Sequence, residues 1–573
     1  MNLNELHPLT KKLLENRGIT DEKEIEKFLN PSYEKDIYDP FLIYGMEKAV
    51  KRIIKAIKSE EVIAIYSDYD CDGVPGGVLF RDFFESIGYK NVLMYIPHRH
   101  NEGYGLHNAA IDKLKEQKVS VMVTVDSGIA NLEEVDYASS KGIDVIVTDH
   151  HLPVHDGKKQ VVPKAYCVLN SKQDKCEYPD DMLCGCAVAW KLAVAVLNTL
   201  KEEASLVEET KPNAYSLVLQ KVKELPEGYE KWFLDLVAIS TIADMVPLKN
   251  ENRTLAYFGL KVLQKTKRHG LNHIFYNQKV SKENLTEDDI AFTIAPRINA
   301  ASRMGHPIQA HNMLYEKDMK LAEHLVLDLE SLNTARKSEV KDVLEEIDFD
   351  HSVYKEEVIV VGNEGWTPGI LGLIAQKIIE ETSKPTFVWG QGEDENILKG
   401  SCRSLGDVHV VDLMREVGDI LTGFGGHEGA GGFEFEKQKK DELLKAFNEA
   451  VKKVEKKEIK NGDILIDEEI SFDDVNDVTY NAIKVLAPFG VENPKPTFSF
   501  PKVKPLSVRR FGKQMEHLEV LYKKGNSNVK AIKFFADEDL EKKLNEEHKL
   551  IAHFEKSFWG GKGELRLRII NVI

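Results

Sequence analysis

Apolar and polar positions along this 573-residue chain follow two alternating periods. Short runs rich in β-branched residues, "EVIAIYS", "VSVMVTV" and "IDVIVT", read as strands buried on both faces. Between them stand stretches such as "HNAAIDKLKEQ" and "NLEEVDYASSKG", whose apolar residues recur at helical spacing. Strands alternating with helices predict an α/β domain built on a parallel sheet with helices on both faces. A long helical pattern from Asp318 to Ile347 then predicts a connection between two domains. A second α/β pattern opens at "EEVIVVGNEGWTPGILGLIAQKII". From about residue 460, short strands with lysine-rich turns predict a small β-barrel or sandwich. The expected organisation is a helical segment at 1–45, a first α/β domain at 46–310 and a connecting helix at 311–350, then a smaller α/β domain at 351–458 and a β-rich domain at 459–573.

Bulk composition narrows the setting. With 42% apolar and 30% charged residues the chain reads as an ordinary globular protein. No apolar run approaches the roughly 18–20 residues that span a bilayer. The opening "MNLNELHPLTKKLL" lacks the basic-then-apolar form of a secretion signal. Six scattered cysteines suit a reducing compartment, so a cytoplasmic location without membrane partners is expected. Cys184 and Cys186 in "LCGCAVAWKL" read as a tight turn feeding a buried helix rather than a zinc site. The net charge of −17 argues against a uniformly basic surface. Yet from Ser499 to Ile573 there are 16 Lys and Arg against 10 Asp and Glu, an asymmetry that points to a polyanionic partner.

The densest chemistry lies in "IAIYSDYDCDGVPGG", where Asp68, Asp70 and Asp72 alternate and end against Gly73. The spacing matches the first half of an EF-hand loop, but that loop needs a glutamate at its twelfth position. Leu79 stands there. The acids instead follow a strand. Asp126 follows "VMVTV", Asp149, His150 and His151 follow "DVIVT", and Asp244 closes the apolar run "FLDLVAISTIADMVPL". In a parallel sheet the C-terminal strand ends share one edge, where ligands bind. Any one of these acids alone reads as a helix cap or turn former. Their coincidence reads as a site for divalent metal, because crowded carboxylates require compensating cations. Two such ions could clamp a phosphodiester for in-line attack by water.

"DYDCDG", "VTVDSG", "VTDHH" and "STIADMVPL" resemble, in order, the motifs of the DHH phosphoesterases. The wider chain is similar to the RecJ branch of that family, single-strand-specific 5′→3′ exonucleases. "PHRHNEGYGL", "APRINAASRMG", "GWTPGILGLIA", "GSCRS", "GFGGHEGAGGF" and "LAPFGVENPKPTF" extend the likeness over almost the whole length. The resemblance implies a DHH catalytic domain, a DHH-associated substrate-binding domain and a C-terminal OB-fold. It implies two Mn²⁺ or Mg²⁺ ions, with metal ligands at Asp70, Asp72, Asp126, His150 and Asp244. Asp68, Asp149 and His151 would act beside them as catalytic groups that orient ligands or touch the scissile phosphate. The residues by themselves do not separate ligand from neighbour among these eight.

Glycine-rich "GSCRS" and "GFGGHEGAGG" each carry one polar group, Arg403 and His427. Glycine lets backbone approach a phosphate, and an arginine fork binds one bidentately. With Arg99, Arg297 and Arg303 they make the expected nucleic-acid contacts. Phe534, Phe535, Phe554, Phe558 and Trp559 suit either an OB-fold that tracks single strands or its core. One departure stands out: Thr367 follows Trp366 where the family usually carries histidine. The implied activity is 5′→3′ degradation of single-stranded DNA to mononucleotides in repair and recombination, with a helicase and a single-strand-binding protein as partners. The alternatives are a DHH phosphoesterase acting on short RNA or cyclic dinucleotides, and a replication scaffold without catalysis, which would lack the carboxylates.

Overall fold

The computed structural model describes residues 6–206, 213–457, 464–512, 514–536, 538–558 and 563–573. Five strands, β1 (Val62–Ser67), β2 (Val92–Tyr95), β3 (Val119–Val125), β4 (Asp144–Thr148) and β5 (Cys167–Leu169), form the first sheet. Their order is β2-β1-β3-β4-β5, and every neighbouring pair is parallel. The chain thus leaves β1 toward one edge and returns on the other side with β3. That reversal opens a crevice at the carboxyl ends of β1 and β3, the position where such sheets bind ligands. Near-continuous apolar strands are what burial on both faces demands, and β3 and β4 are buried along almost their whole length.

Three helices close over this edge. Helix α1 (Gly73–Ser86) starts directly after Asp72, α2 (Gly185–Leu206) packs beside it, and α3 (Leu234–Ala243) crosses both. The apolar run before Asp244 is therefore a helix, not a further strand end. Ten unbroken apolar-rich positions do not distinguish a buried strand from a helix buried all round, and here neighbours on every side make it the latter. Asp244 is its C-cap and reaches the sheet edge from above.

Helix α2 is held at depth by a buried network. Lys191 Nζ pairs with Glu251 and donates to Tyr38 O at 2.6 Å, while Tyr178 OH donates to Glu251 Oε2 at 2.5 Å. Both charged side chains are fully buried. A pair of this kind is costly to break from one side, because the remaining ion is left uncompensated.

Helix α4 (Ala295–Met304) leads to the long helix α5 (Met319–Glu346), capped by the Asp318 carboxylate on the amides of Lys320 and Leu321. Beyond it a mixed sheet of order β9-β10-β8-β7-β6 contains β6 (Ile359–Gly362), β7 (Thr386–Gln391), β8 (Ile397–Arg403), β9 (Leu421–His427) and β10 (Ala430–Glu436). Helix α6 (Pro368–Thr382) packs on β7 and β8. The last sheet has seven strands in the order β11-β12-β16-β17-β15-β14-β13. They are β11 (Glu468–Glu469), β12 (Phe498–Val503), β13 (Ser507–Phe511), β14 (His517–Lys524), β15 (Ser527–Lys533), β16 (His548–Ser557) and β17 (Glu564–Val572).

The N-terminal segment is not free-standing. Leu6, Leu13, Leu14 and Leu29 enter the core of this third sheet with Phe498, Phe500 and Leu550. Thr10 Oγ1 donates to Ala482 O at 2.8 Å, and Arg17 Nη2 donates to Pro494 O at 2.6 Å. The two ends of the chain thus share one core. Among the described residues no helix is long and apolar enough to cross a membrane.

Lys191→Met should lower stability by about 3–5 kcal/mol, and adding Glu251→Gln should recover most of that loss. Urea unfolding of the two variants checks this; a double variant no better than the single would show that packing, not the lone charge, sets the cost.

Candidate active site

The loop after β1 turns back on itself so that its acids line the crevice. Asp68 N donates to Val125 O at 3.0 Å, which ties the end of β1 to the end of β3. Asn299 Oδ1 of α4 accepts from Cys71 N at 3.0 Å, and Ser240 Oγ of α3 donates to Cys71 O at 3.3 Å. Asp70 Oδ1 accepts the amides of Asp72 and Gly73 at 2.8 and 3.2 Å. Asp72 accepts the first two amides of α2, Gly185 N at 2.6 Å and Cys186 N at 2.8 Å. A helix N-terminus suits a carboxylate there. Asp126 sits in the left-handed region with φ +59°, strain of the kind functional positions store. Gly185 makes that possible, since a Cβ on it would fall 2.5 Å from Asp126 Cβ.

These groups converge as the sequence pattern requires. His150 Nε2 lies 3.1 Å from Asp126 Oδ1, 3.6 Å from Asp244 Oδ2 and 3.7 Å from Asp72 Oδ2. Ligand atoms of Asp68, Asp70 and Asp126 gather within 4.8 Å of one another, as do those of Asp72, His150 and Asp244. Asp68 Oδ1, Asp126 Oδ1 and His150 Nε2 are buried with no hydrogen-bond partner. Orphaned donor atoms of this kind are costly unless something else binds them. Carboxylates mixed with one imidazole, aimed into a common space, fit divalent cations.

Electrostatics divides the cluster in two. Burial, then the neighbouring carboxylates, raise the carboxyls of Asp68 and Asp126 well above the ordinary range. The same causes push Asp72 up to about 6 and Asp244 to about 9. Burial drives His150 down to about 3, helped by the charge of His151, so its imidazole is neutral and available as a ligand. His151 behaves oppositely. Burial alone would lower it, but its hydrogen bond with Asp149 raises it to about 9, while the same bond overcomes burial to hold Asp149 near 2. Asp149 Oδ1 lies 2.8 Å from His151 Nδ1 and also accepts His150 N, while Oδ2 accepts Ile129 N. Tyr104 OH donates to Asp126 O at 3.2 Å and lies 3.1 Å from His151 Nδ1.

Positive charge faces this floor. The charges of Arg99, Arg336 and Arg403 reach Arg303, and after burial they hold its guanidinium down to about 9. Arg303 Nη1 donates to Gly369 O at 2.9 Å, which docks the first turn of α6 onto α4. Gly369 permits that approach, since a Cβ there would lie 2.2 Å from Arg303 O. Arg99 stacks on Tyr69 at 4.9 Å. Arg403 Nη1 turns to Cys402 O at 2.8 Å, and His427 feels the charges of Arg403 and His151. Thr367 is the N-cap residue of α6, and its side chain makes no capping bond.

Arg297 departs from the expected role. Its Nε and Nη2 grip Glu330 of α5 at 2.6 and 3.1 Å, and Nη1 donates to Thr293 O. It fastens α4 to α5 instead of facing a phosphate. Two groups escaped the sequence reading. Tyr104 lay inside the quoted "NEGYGL", and Arg336 in "LNTARKSEV" reads as a solvated helix face until α5 packs on α4. Arg336 Nε is buried without a partner. Among the aromatics, Phe554 is core at 8% exposure, Phe535 is 80% exposed, and Trp559 lies outside the described residues.

The chain matches the DHH family N-terminal domain over residues 62–220, the DHHA1 domain over 355–453 and the RecJ OB domain over 466–571. It is 31% identical over 541 residues to the single-stranded-DNA-specific exonuclease RecJ of Haemophilus influenzae, covering 92% of this chain and 89% of that protein. It belongs to the RecJ family. The Bacillus subtilis RecJ is 33% identical over 533 residues, and the match spans 92% of this chain but 63% of that longer relative. The crystal structure of Thermus thermophilus RecJ with Mn²⁺ superposes with a TM-score of 0.78 at 24% identity, covering 99% of this chain and 76% of the other. A structure of exonuclease RecJ bound to manganese gives 0.59 at 29% identity, covering 71% of this chain and 94% of the other.

Asp126→Asn removes one member of the repelling cluster while keeping its shape. Because the folded carboxyl is raised above its unfolded value, its stabilising contribution is complete only below about pH 4 and is lost as pH rises. The variant should therefore melt about 2–4 °C higher than the parent in chelator at neutral pH, with no gain in acid. Scanning calorimetry at the two pH values checks this, and a lower melting point at neutral pH would contradict a repulsive cluster.

Proposed function

We propose that the protein is a metal-dependent exonuclease that degrades single-stranded DNA from its 5′ end. The observation that carries this reading is the set of three buried, unpartnered donor atoms of Asp68, Asp126 and His150 beneath a group of arginines. Asp70, Asp72, Asp126, His150 and Asp244 would hold two divalent ions, Mn²⁺ or Mg²⁺, which supply Lewis-acid activation of a water and a clamp on the phosphate. The protein's own groups do the rest. Asp72 is oriented by the α2 amides, and neutral His150 offers Nε2. His151 keeps its proton at Nδ1 against Asp149 and sets a positive charge beside Asp126. Arg99, Arg303 and Arg403 face the cluster with charge for the phosphates of the strand.

Polarity requires a pocket that accepts one end, because phosphodiester chemistry itself is indifferent to direction. Arg403 and the loop at His427 occupy the second lobe opposite the metal floor. A terminal phosphate carries more charge than an internal one and rewards a guanidinium fork. The OB-type domain favours a long polymer over a cyclic dinucleotide, and the complete acid set opposes a scaffold without catalysis. An activity restricted to single strands implies a helicase to expose them and a single-strand-binding protein to keep them open.

End-labelled single-stranded DNA, duplex DNA and RNA incubated with Mn²⁺ or Mg²⁺ test the reading, with loss of label from the 5′ end of single-stranded DNA expected. Digestion from the 3′ end would overturn it. Asp126→Ala should reduce cleavage by more than the about 100-fold that outer-shell changes at metal sites cost. Normal turnover in that variant would remove Asp126 from the metal site. Arg403→Lys should abolish the preference for 5′-phosphorylated over 5′-hydroxyl strands, measured as the ratio of the two rates. An unchanged ratio would exclude Arg403 from the end pocket.

A further inference from the structure

The acids of the cluster are not all held in the same way. Asp70 accepts the amides of Asp72 and Gly73, and Asp72 accepts the first two amides of α2. Asp244 has no such support. Among the described residues no hydrogen bond reaches its carboxylate, and His150 Nε2 stands 3.6 Å away. Its place therefore depends on α3, the helix that it caps. Yet the ligand atoms of Asp72, His150 and Asp244 all lie within 4.8 Å of one another.

The two helices that carry Asp72 and Asp244 run in opposite directions from the cluster. Helix α1 leaves it at Asp72 and reaches Asp82 about 15 Å further along its axis. Helix α3 arrives from Asp235, about 13 Å before Asp244. One side chain joins their far ends. Arg268 Nη1 donates to Asp82 Oδ2 at 2.6 Å, and its Nε donates to Asp235 Oδ2 at 3.0 Å. All three side chains are buried. Burial would lower the guanidinium, but Asp235 and Asp82 outweigh it and raise the group above its ordinary value. Thr266 Oγ1 also donates to Asp235 Oδ2 at 2.8 Å, and Lys317 Nζ donates to Asp82 Oδ1 at 2.7 Å. A cavity of about 610 Å³ borders Asp82, Asp235 and Arg268, so packing alone does not enclose this end of the helix pair.

A guanidinium that takes one carboxylate from each helix resists both their separation and their sliding. At the near end the tie is looser: Ser240 Oγ of α3 stands 3.3 Å from Cys71 O and 3.5 Å from Asp72 O. We propose that Arg268 is a positioning residue for the metal cluster, which sets Asp244 against Asp72 and His150 by clasping the opposite ends of α1 and α3. The proposal rests on the reading of the cluster as a two-ion site and makes one of those ions depend on the clasp. The other group, Asp68, Asp70 and Asp126, follows β1 and β3 and takes no residue from α3. Its ion should be indifferent to Arg268.

The test is Mn²⁺ binding to the full-length protein. Isothermal titration gives the number and affinity of the ions, and electron paramagnetic resonance reports whether they form a close pair. The parent should bind two ions and show the exchange-coupled signal of a pair. Lysine keeps the charge of Arg268 but loses the fork that reaches both carboxylates. Arg268→Lys should therefore hold one ion at the parent's affinity and bind the other about tenfold more weakly, the lower end of what outer-shell changes cost. The paired signal should give way to that of isolated Mn²⁺ and return when Mn²⁺ is raised. Lys317→Ala, which removes an exposed partner of the same Asp82, should bind both ions as the parent does. If circular dichroism shows that Arg268→Lys does not fold, the neutral combination Arg268→Met, Asp82→Asn and Asp235→Asn replaces it, with the same selective loss expected. Two ions held at the parent's affinity would overturn the proposal. Equal weakening of both would overturn it too, because that marks a general loosening of the fold. A parent that binds no pair would overturn the two-ion reading and the proposal with it, so the protein in which binding fails tells the two apart.

Discussion

Mutual repulsion among buried carboxylates is the constraint to which the rest of this structure answers. Asp68, Asp72, Asp126 and Asp244 are raised by burial and then by neighbouring carboxylates, Asp70 acting on all four, at the point where the parallel sheet reverses its strand order. Such a cluster persists only because the surrounding fold over-determines it. Hydrogen bonds from the start of α2 hold Asp72, the absence of a side chain at Gly185 leaves room for Asp126, and α2 is itself fixed by the buried Lys191–Glu251 pair. Helix and sheet thus supply the energy that keeps like charges together, and a cation is the chemical species that relieves them.

The two adjacent histidines show how neighbouring residues of one type come to differ. His150 is buried without a carboxylate hydrogen bond and stays neutral, the form in which an imidazole can bind a metal. His151 has Asp149 at 2.8 Å and stays charged. Opposite them, arginines from several separate elements approach one another with little compensation: Arg99 from the loop after β2, Arg303 from α4, Arg336 from α5 and Arg403 from β8. These arginines lie near enough to the acid cluster for their charges to act across it: Arg99 on Asp68, and Asp70 on Arg303.

The architecture also links the site to distant parts of the chain. Arg303 joins the two α/β lobes through Gly369, and Arg297 braces α4 against α5 through Glu330. The N-terminal helices belong to the core of the third sheet, so the β-rich domain is assembled from both ends of the chain. Removing either end would expose apolar surface of the other, which makes the C-terminal domain part of the scaffold.

That these acids and imidazoles would gather was legible without coordinates, because most of them follow apolar strands and strand period is a local property of sequence. Parallel pairing then forces Asp68, Asp126 and Asp149 onto one edge whatever the details. Asp244 was legible as chemistry but not as a helix cap, since an apolar run buried on all sides carries no period. Charge alone could not sort the arginines. Arg297 and Arg303 lie on the same short helix, yet one meets Glu330 and the other meets Gly369, and only the packing of α5 and α6 decides which. The same holds for the aromatics: Phe554 on β16 turns inward, while Phe535, just beyond β15, is exposed. Local pattern determined most of the elements and the candidate acids and imidazoles; long-range packing decided which side chains were already satisfied and which were left without a partner.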